Sequence, residues 1–330
     1  MSVEPIATPR PAGRLGAAYP YALLSLCMLF WAGNWVVGRA LRDSMPPVAM
    51  TFWRWTVAAL VLAPFALPRL AGKGYALRRA WPLLLALAIT GGALYQVAVY
   101  FGLRHTETVN AVLLNAASPL TIVLAAWAID GDKITMRQVW GTVISLIGLL
   151  IVLSRGDPAQ LLGLRFSIGD LAILAVMPLW AFYTVMLRRR PMEIDNISLI
   201  FLLGIFGSAA LAPAYLFESL YFQAPPLAWS SVAAPLYTGC FASAAAYWCW
   251  NRGAEMVGPN RAGFTTYLMP AFTTILAVLL LGEEVHTFHV IGIVTILFGV
   301  WLSTTGGRVR GEPRLTAGSR TPAPGIRSRP

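Results

Sequence analysis

The sequence is short of charge. Only 12% of its 330 residues are Asp, Glu, Lys or Arg, about half the share of an ordinary soluble domain. Hydrophobic residues make up 57%, and mean hydropathy is +0.65. That balance excludes a water-soluble fold and points to a polytopic membrane protein. Cysteine is scarce as well. Cys27, Cys240 and Cys249 all fall in apolar runs, which argues against a disulfide framework and for packed structural thiols. Residues 1–18 lack the apolar core of a cleavable signal peptide. Acids are missing from the middle of the apolar runs: Asp43, Glu107, Asp170, Glu193, Asp195, Glu218 and Glu255 all stand at or near run ends. No Ser, His and acid gather in a consistent register, so a hydrolytic triad is not expected, nor is any cofactor.

What is present is a series of apolar windows long enough to cross a bilayer as helices. They lie at about 20–39, 47–68, 81–102, 109–129, 136–154, 168–187, 197–217, 230–250, 261–281 and 287–305. The expected fold is therefore an all-α integral membrane protein of ten transmembrane helices, with consecutive helices antiparallel. Residues 1–18, and the Gly-, Pro-, Ser- and Arg-rich tail at 306–330, read as disordered. An even number of spans puts both termini on one side. Nineteen of the 25 Lys and Arg fall on that side; Arg39, Arg42, Arg104, Arg155 and Arg165 fall opposite, and Arg54 lies within a span. The bias makes the side with the termini cytoplasmic. The net charge of +11 is then an orientation signal and a contact for anionic lipid. Nucleic acid is not expected as a partner, because no basic stripe interleaves with a soluble fold.

The chain also repeats. A shift of 151 aligns the segment from Thr108 with the segment from Pro259, so that Ala111 meets Ala262, Pro119 meets Pro270, Gly141 meets Gly292 and Gly148 meets Gly299. A shift of 149 brings Trp31-Ala32 onto Trp180-Ala181. Two halves of five helices follow, 19–155 and 156–305. Because five is odd, the second half crosses the membrane in the opposite sense. Inverted repeats are characteristic of transporters, with the substrate site between the halves near the midplane. The loop GEEVHTFHV holds Glu283, Glu284, His286 and His289, which mimics a metal site. Its repeat partner DGDK has no His, and the two His begin a new helix, so no metal is expected.

Ten helices in two inverted halves, FWAGNW in the first helix, FWRW in the second, and an A-x7-P pattern (Ala262, Pro270) followed by LGE at Leu281–Glu283 together resemble the drug/metabolite transporter superfamily. The likeness is to its EamA-type permeases, and among these to the YddG-type exporters of aromatic and other neutral amino acids. It covers about residues 20–305. The first half departs from the pattern, with DGDK at Asp130–Lys133 in place of a Gly-Glu pair. The resemblance implies a central cavity lined by the first, third, fourth, sixth, eighth and ninth helices, and a monomer in the inner (plasma) membrane.

The polar and aromatic residues within the spans fall on those helices. Trp31, Asn34 and Trp35 share one helix face, and Trp180, Tyr183 and Thr184 repeat the spacing in the sixth helix. The third helix offers Tyr95, Gln96 and Tyr100, the fourth Asn115 and Ser118, the eighth Tyr247, and the ninth Tyr267. All of these except Thr184 are the twelve candidate substrate-binding residues, with Pro119 and Pro270 as candidate hinges. A competing use exists for each type. Tyr19, Tyr21, Trp81, Trp229 and Trp250 stand near span ends, as interfacial belts do. An Asn such as Asn115 equally well glues helices together. Arg54 stands about two turns into its span, within reach of the outer interface, and the resemblance makes it a recurring anchor at the periphery of the bundle; capture of a substrate carboxylate is the alternative.

A first helix without an acid disfavours cationic-drug antiport, and spans that offer only Arg54 to pair with phosphate disfavour sugar-nucleotide and phosphate carriage. The sequence thus reads as an exporter of neutral, aromatic or hydrophobic amino acids working by alternating access. Efflux of another uncharged metabolite or drug is the alternative within the class. A membrane-embedded enzyme would need acids or His clustered at one interface, and a scaffold would not explain paired aromatic stripes.

Overall fold

The computed structural model describes residues 14–106, 118–154, 167–191, 193–281 and 286–305, with Ala111, Leu114, Asn115, Gly156, Asp157 and Ala159 between them. Residues 1–13, Glu107, the 282–283 pair and the tail from 306 lie outside this set. Among the described residues there are ten helical rods and no strand. They are α1 (Arg14–Ala40), α2 (Pro47–Leu70), α3 (Gly74–His105), α4 (Ser118–Asp130), α5 (Met136–Leu153), α6 (Ile168–Arg189), α7 (Asn196–Tyr221), α8 (230–257), α9 (259–281) and α10 (Thr287–Thr304).

Six of them, α1, α2, α3, α6, α7 and α10, are long and apolar enough to cross a membrane. The helices α4 and α5 are shorter apolar helices. The other two, α8 and α9, are rods interrupted by a π segment (Thr238–Ala245) and a 3-10 turn (Thr265–Tyr267). Large apolar side chains such as Leu60, Phe65, Trp127, Trp140, Val294 and Trp301 point outward. Water would penalise that surface, whereas lipid matches it. Exposed Tyr19, Trp81 and Trp229 lie near rod ends, as belt residues do.

The packing repeats with the sequence. Rod α3 lies on α6 as α8 lies on α1, and α4 lies on α6 as α9 lies on α1. Rods α2 and α7 pack on each other, as do α5 and α10. Each contact thus has its partner under one pseudo-twofold exchange of the halves. Even the helix irregularities are duplicated. A π segment interrupts α3 at Ala88–Ala93 and α8 at Thr238–Ala245, and a tyrosine follows each two residues later, Tyr95 and Tyr247.

The aligned glycines explain the α5–α10 contact. A Cβ on Gly141 would sit 2.6 Å from the Gly299 carbonyl and the Ser303 amide, and one on Gly148 would sit 2.7 Å from the Gly292 carbonyl. Helix association in lipid relies on such close backbone approach, since no hydrophobic force separates helix from solvent there. Pro270 has a local effect as well. It lacks the N–H that would continue the α-helical ladder, and the chain tightens into the 3-10 turn Thr265–Tyr267 just before it. Pro119 is buried in the first turn of the described α4.

Gly141→Val and Gly148→Val should each destabilise the protein by about 1–3 kcal/mol, because the atoms met are backbone and cannot move aside. A thermal melt in detergent reads this out. Gly74→Ala, where an added methyl meets nothing within 4 Å, serves as the control and should leave the melting temperature unchanged.

Candidate functional site

At the centre, between the halves, Trp31 of α1 and Trp180 of α6 meet edge to face, with ring centroids 5.1 Å apart and planes at 80°. These are the residues that the shift of 149 superposes. Tyr95 tilts against Trp180 at 5.2 Å, Tyr183 stacks on it at 5.1 Å, and Tyr247 touches both Trp31 and Trp180. Trp250 packs against the same two indoles at 5.4 Å and is fully buried. It is a core residue, not the belt residue that its place near a span end suggests.

A small cavity opens beside this cluster. Met28, Trp31, Asn34 and Trp35 line it from α1, Tyr95 and Gln96 from α3, Asn115 from ahead of α4, and Ser118 from the start of α4. Trp180 contributes from α6, and Thr266 and Met269 from α9. The structure therefore brings eight of the twelve candidate residues to one cavity. The other four stand back from it. Tyr100 bonds Asn34, Tyr183 bonds Asn251, Tyr247 lies within the aromatic cluster, and Tyr267 is buried in the 3-10 turn. Rod α8 contributes no lining residue here. Met28 and Met269 were illegible as lining, since an apolar residue in an apolar run carries no distinguishing mark. The free volume is about 20 Å³, room for about one water and too little for an amino acid.

Behind the cavity lies the largest departure from the sequence reading. Arg54 is fully buried and does not reach an interface. Its Nε donates to Ser243 Oγ (2.8 Å), Nη2 to the Ala242 carbonyl (3.1 Å), and Nη1 to Tyr100 OH (3.1 Å) and Asn34 Oδ1 (3.3 Å). The Tyr100 hydroxyl also donates to Asn34 Oδ1 at 2.6 Å. Among the described residues no carboxylate pairs with Arg54. Two of its acceptors come from the π segment of α8. A π turn loosens the backbone ladder and leaves oxygens for side-chain donors, and the Ala242 carbonyl also accepts from Trp31 Nε1 at 3.0 Å. In the α3 counterpart the Gly91 carbonyl accepts from the Tyr247 hydroxyl. Distance along the helix misled the sequence reading of Arg54, because the helix face, not the depth, decides where a long side chain goes.

Asparagine–tyrosine pairs repeat with exchanged identities. Asn34 and Tyr100 join α1 to α3. Tyr183, which corresponds to Asn34, donates to Asn251 Oδ1 at 2.7 Å and joins α6 to α8. Asn251 in turn donates to Asn196 Oδ1 at 2.9 Å. The second network is neutral throughout; the first contains a cation.

Polar contacts tie both ends of the bundle. At the end carrying the α4–α5 and α6–α7 loops, Arg188 reaches Asp130 (3.1 Å) and Asp132 (3.3 Å), Arg189 reaches Asp130 (3.3 Å), and Arg190 pairs with Glu255. The DGDK loop thus holds the other half through its acids. At the opposite end Arg104 donates to Gln223 (3.0 Å), and Glu218 accepts from the Val48 and Ala49 amides that begin α2. At the start of α10 the His286 amide donates to His289 Nδ1, a helix-end contact; Glu283 and Glu284 lie outside the described residues.

A family model described as the EamA-like transporter family matches this chain twice, over residues 18–154 and 167–305. The chain belongs to that family. As an EamA-like protein it is a multi-pass membrane transporter, not an enzyme. An "Uncharacterized transporter YyaM" of Bacillus subtilis is 28% identical over 88% of this chain and 94% of its own length. A protein of Streptantibioticus cattleyicolor named "Probable terminal-alkyne amino-acid exporter" is 28% identical over 49% of this chain and 56% of its own. A solved crystal structure superposes with a TM-score of 0.68 over 86% of this chain and 96% of that one, at 23% identity; it supports the fold.

Truncating Arg54 leaves several buried acceptors without donors. Arg54→Ala should therefore destabilise the protein by roughly 3 kcal/mol or more. Arg54→Lys, which keeps the charge but loses the fork, should lie between it and the parent. Melting temperature and detergent monodispersity measure both.

Proposed function

We propose that this EamA-like transporter exports neutral amino acids with aromatic or large apolar side chains, across an inner membrane in which both termini are cytoplasmic. One observation carries the reading: the cavity between the halves is lined by indoles, a phenol, methionines, amides and hydroxyls, with no acid and no cation among the described residues. Such a lining offers apolar faces for a side chain and uncharged polar groups for a zwitterion. The relative named for amino-acid export supports the substrate class. The Lys and Arg bias supports the orientation.

Transport proceeds by alternating access. The halves rock about the central cluster, with Pro119 and Pro270 as matched weak points in α4 and α9. With the free volume at about 20 Å³, the present conformation is closed around the site. Substrate entry requires the Trp31–Trp180 contact to part and one of the two polar closures to open.

Counterflow in proteoliposomes tests the reading. Vesicles preloaded with unlabelled phenylalanine, tryptophan or leucine should accumulate labelled phenylalanine. Trp180→Ala should lower the exchange at least about tenfold, as expected from the loss of a central packed aromatic that contacts the ligand, while remaining monodisperse. Absence of exchange with every neutral amino acid, from intact protein, would move the assignment to another uncharged metabolite.

A further inference from the structure

One amide at the cavity has its hydrogen-bonding sense fixed by its neighbours. Asn34 is 98% buried, with 2% of its surface exposed, and its Oδ1 accepts from both Tyr100 and Arg54. A guanidinium can only donate, so the atom facing it must be the amide oxygen. The Nδ2 donors are therefore turned away from Arg54. They have no partner among the described residues, and the residue borders the cavity. The same cavity is lined by Gln96, with 4% of its surface exposed. Its Oε1 is buried and has no hydrogen-bond partner. One wall thus presents unsatisfied donors, backed by a buried cation without a carboxylate. Gln96 adds a second amide whose sense no neighbour fixes, so that it can turn its oxygen to a donor in the cavity. Buried polar groups are seldom left unpaired without a role.

That arrangement matches the two ends of a zwitterion. We propose that the cavity reads the amino-acid head group in a fixed sense: the Asn34 amide donates to the carboxylate, and Gln96 Oε1 accepts from the ammonium. Arg54 is the positioning residue. It holds the Asn34 donors toward the cavity and places positive potential behind the carboxylate, one side chain removed from it. The second half, with the neutral Tyr183–Asn251–Asn196 chain in the corresponding place, offers no such potential, so the head group has one preferred orientation. The inference rests on the amino-acid reading above and deepens it by assigning which residue recognises which charge.

The test compares L-phenylalanine with 2-phenylethylamine, which lacks the carboxylate, and 3-phenylpropionate, which lacks the ammonium. Binding to the full-length protein is followed by tryptophan fluorescence, since Trp31 and Trp180 line the cavity, and exchange by counterflow. Parent protein should prefer phenylalanine to each analogue by at least about tenfold, as a site built around a hydrogen bond does when its partner is missing. Gln96→Leu, or Gln96→Met if the leucine variant does not stay monodisperse, should erase the preference over phenylpropionate and keep that over phenylethylamine. Gln96→Glu, which retains an acceptor, should keep both. Asn34→Leu should do the reverse of Gln96→Leu, and Arg54→Lys should weaken the same ratio as Asn34→Leu and leave the Gln96 ratio alone. A purely structural role for Arg54 would scale both ratios together. Folded variants in which neither ratio moves overturn the head-group assignment while leaving amino-acid transport standing. A parent protein that exchanges no neutral amino acid removes the transport reading, and the assignment goes with it.

Discussion

The bundle depends on one buried cation. Taking a guanidinium out of water costs several kcal/mol even after relaxation, and in a membrane interior no solvent stands by to reduce that cost. Arg54 offsets it with four charge-assisted contacts drawn from three other rods: Asn34 on α1, Tyr100 on α3, and Ala242 and Ser243 on α8. Because α8 belongs to the second half, the same side chain bridges the halves. Its demand for acceptors gives the π segment of α8 a role, since a regular α-helix offers fewer backbone oxygens to a side chain. It also gives Asn34, the lone amide between two indoles, a reason to lie there. The polar group that looked costly in an apolar run is one end of a network whose other end is a charge.

Around that network the duplicated parts behave as symmetry requires. The two tryptophans that the sequence aligns are in contact, the two π segments stand at matching places, and the four aligned glycines form one crossing of α5 and α10. Two departures from symmetry are electrostatic. Asn34 with Tyr100 and Arg54 corresponds to Tyr183 with Asn251 and Asn196, so of these two networks only the first contains a cation. The DGDK loop binds Arg188 and Arg189 through Asp130 and Asp132; its departure from the family pattern leaves it acidic, and acidity is what meets the arginines of α6.

Most of the fold was legible because lipid imposes simple rules on sequence. Apolar windows mark rods, glycine and proline spacing marks the repeat, and aromatic and amide residues at i, i+3, i+4 mark an inward face. Trp31, Asn34, Tyr95, Gln96 and Trp180 could be named from that pattern and lie together at the cavity. Arg54 and Trp250 could not be placed, for a common reason: distance from a span end does not set burial, whereas the face of the helix and what a neighbouring rod offers do. The π segments were equally hidden. Their sequences, AITGGA and TGCFASAA, are rich in small residues like many ordinary membrane helices, and the looser turn arises only where another rod supplies donors for its carbonyls.

The closed cavity bears on the side chain that such a transporter would carry. Trp31, Trp180, Tyr95, Tyr247 and Trp250 hold one another by edge-to-face and tilted contacts, each worth about 0.5–1.5 kcal/mol beyond the area buried. A substrate entering between them must break several. One with an aromatic or broad apolar side chain restores ring contacts as it separates the indoles, so opening and binding nearly balance. One with a small polar side chain breaks the contacts and replaces none, and its head-group hydrogen bonds alone must offset the loss. On the proposed reading, selectivity for the side chain therefore arises from the stability of the aromatic cluster, and selectivity for the head group from the amides beside it.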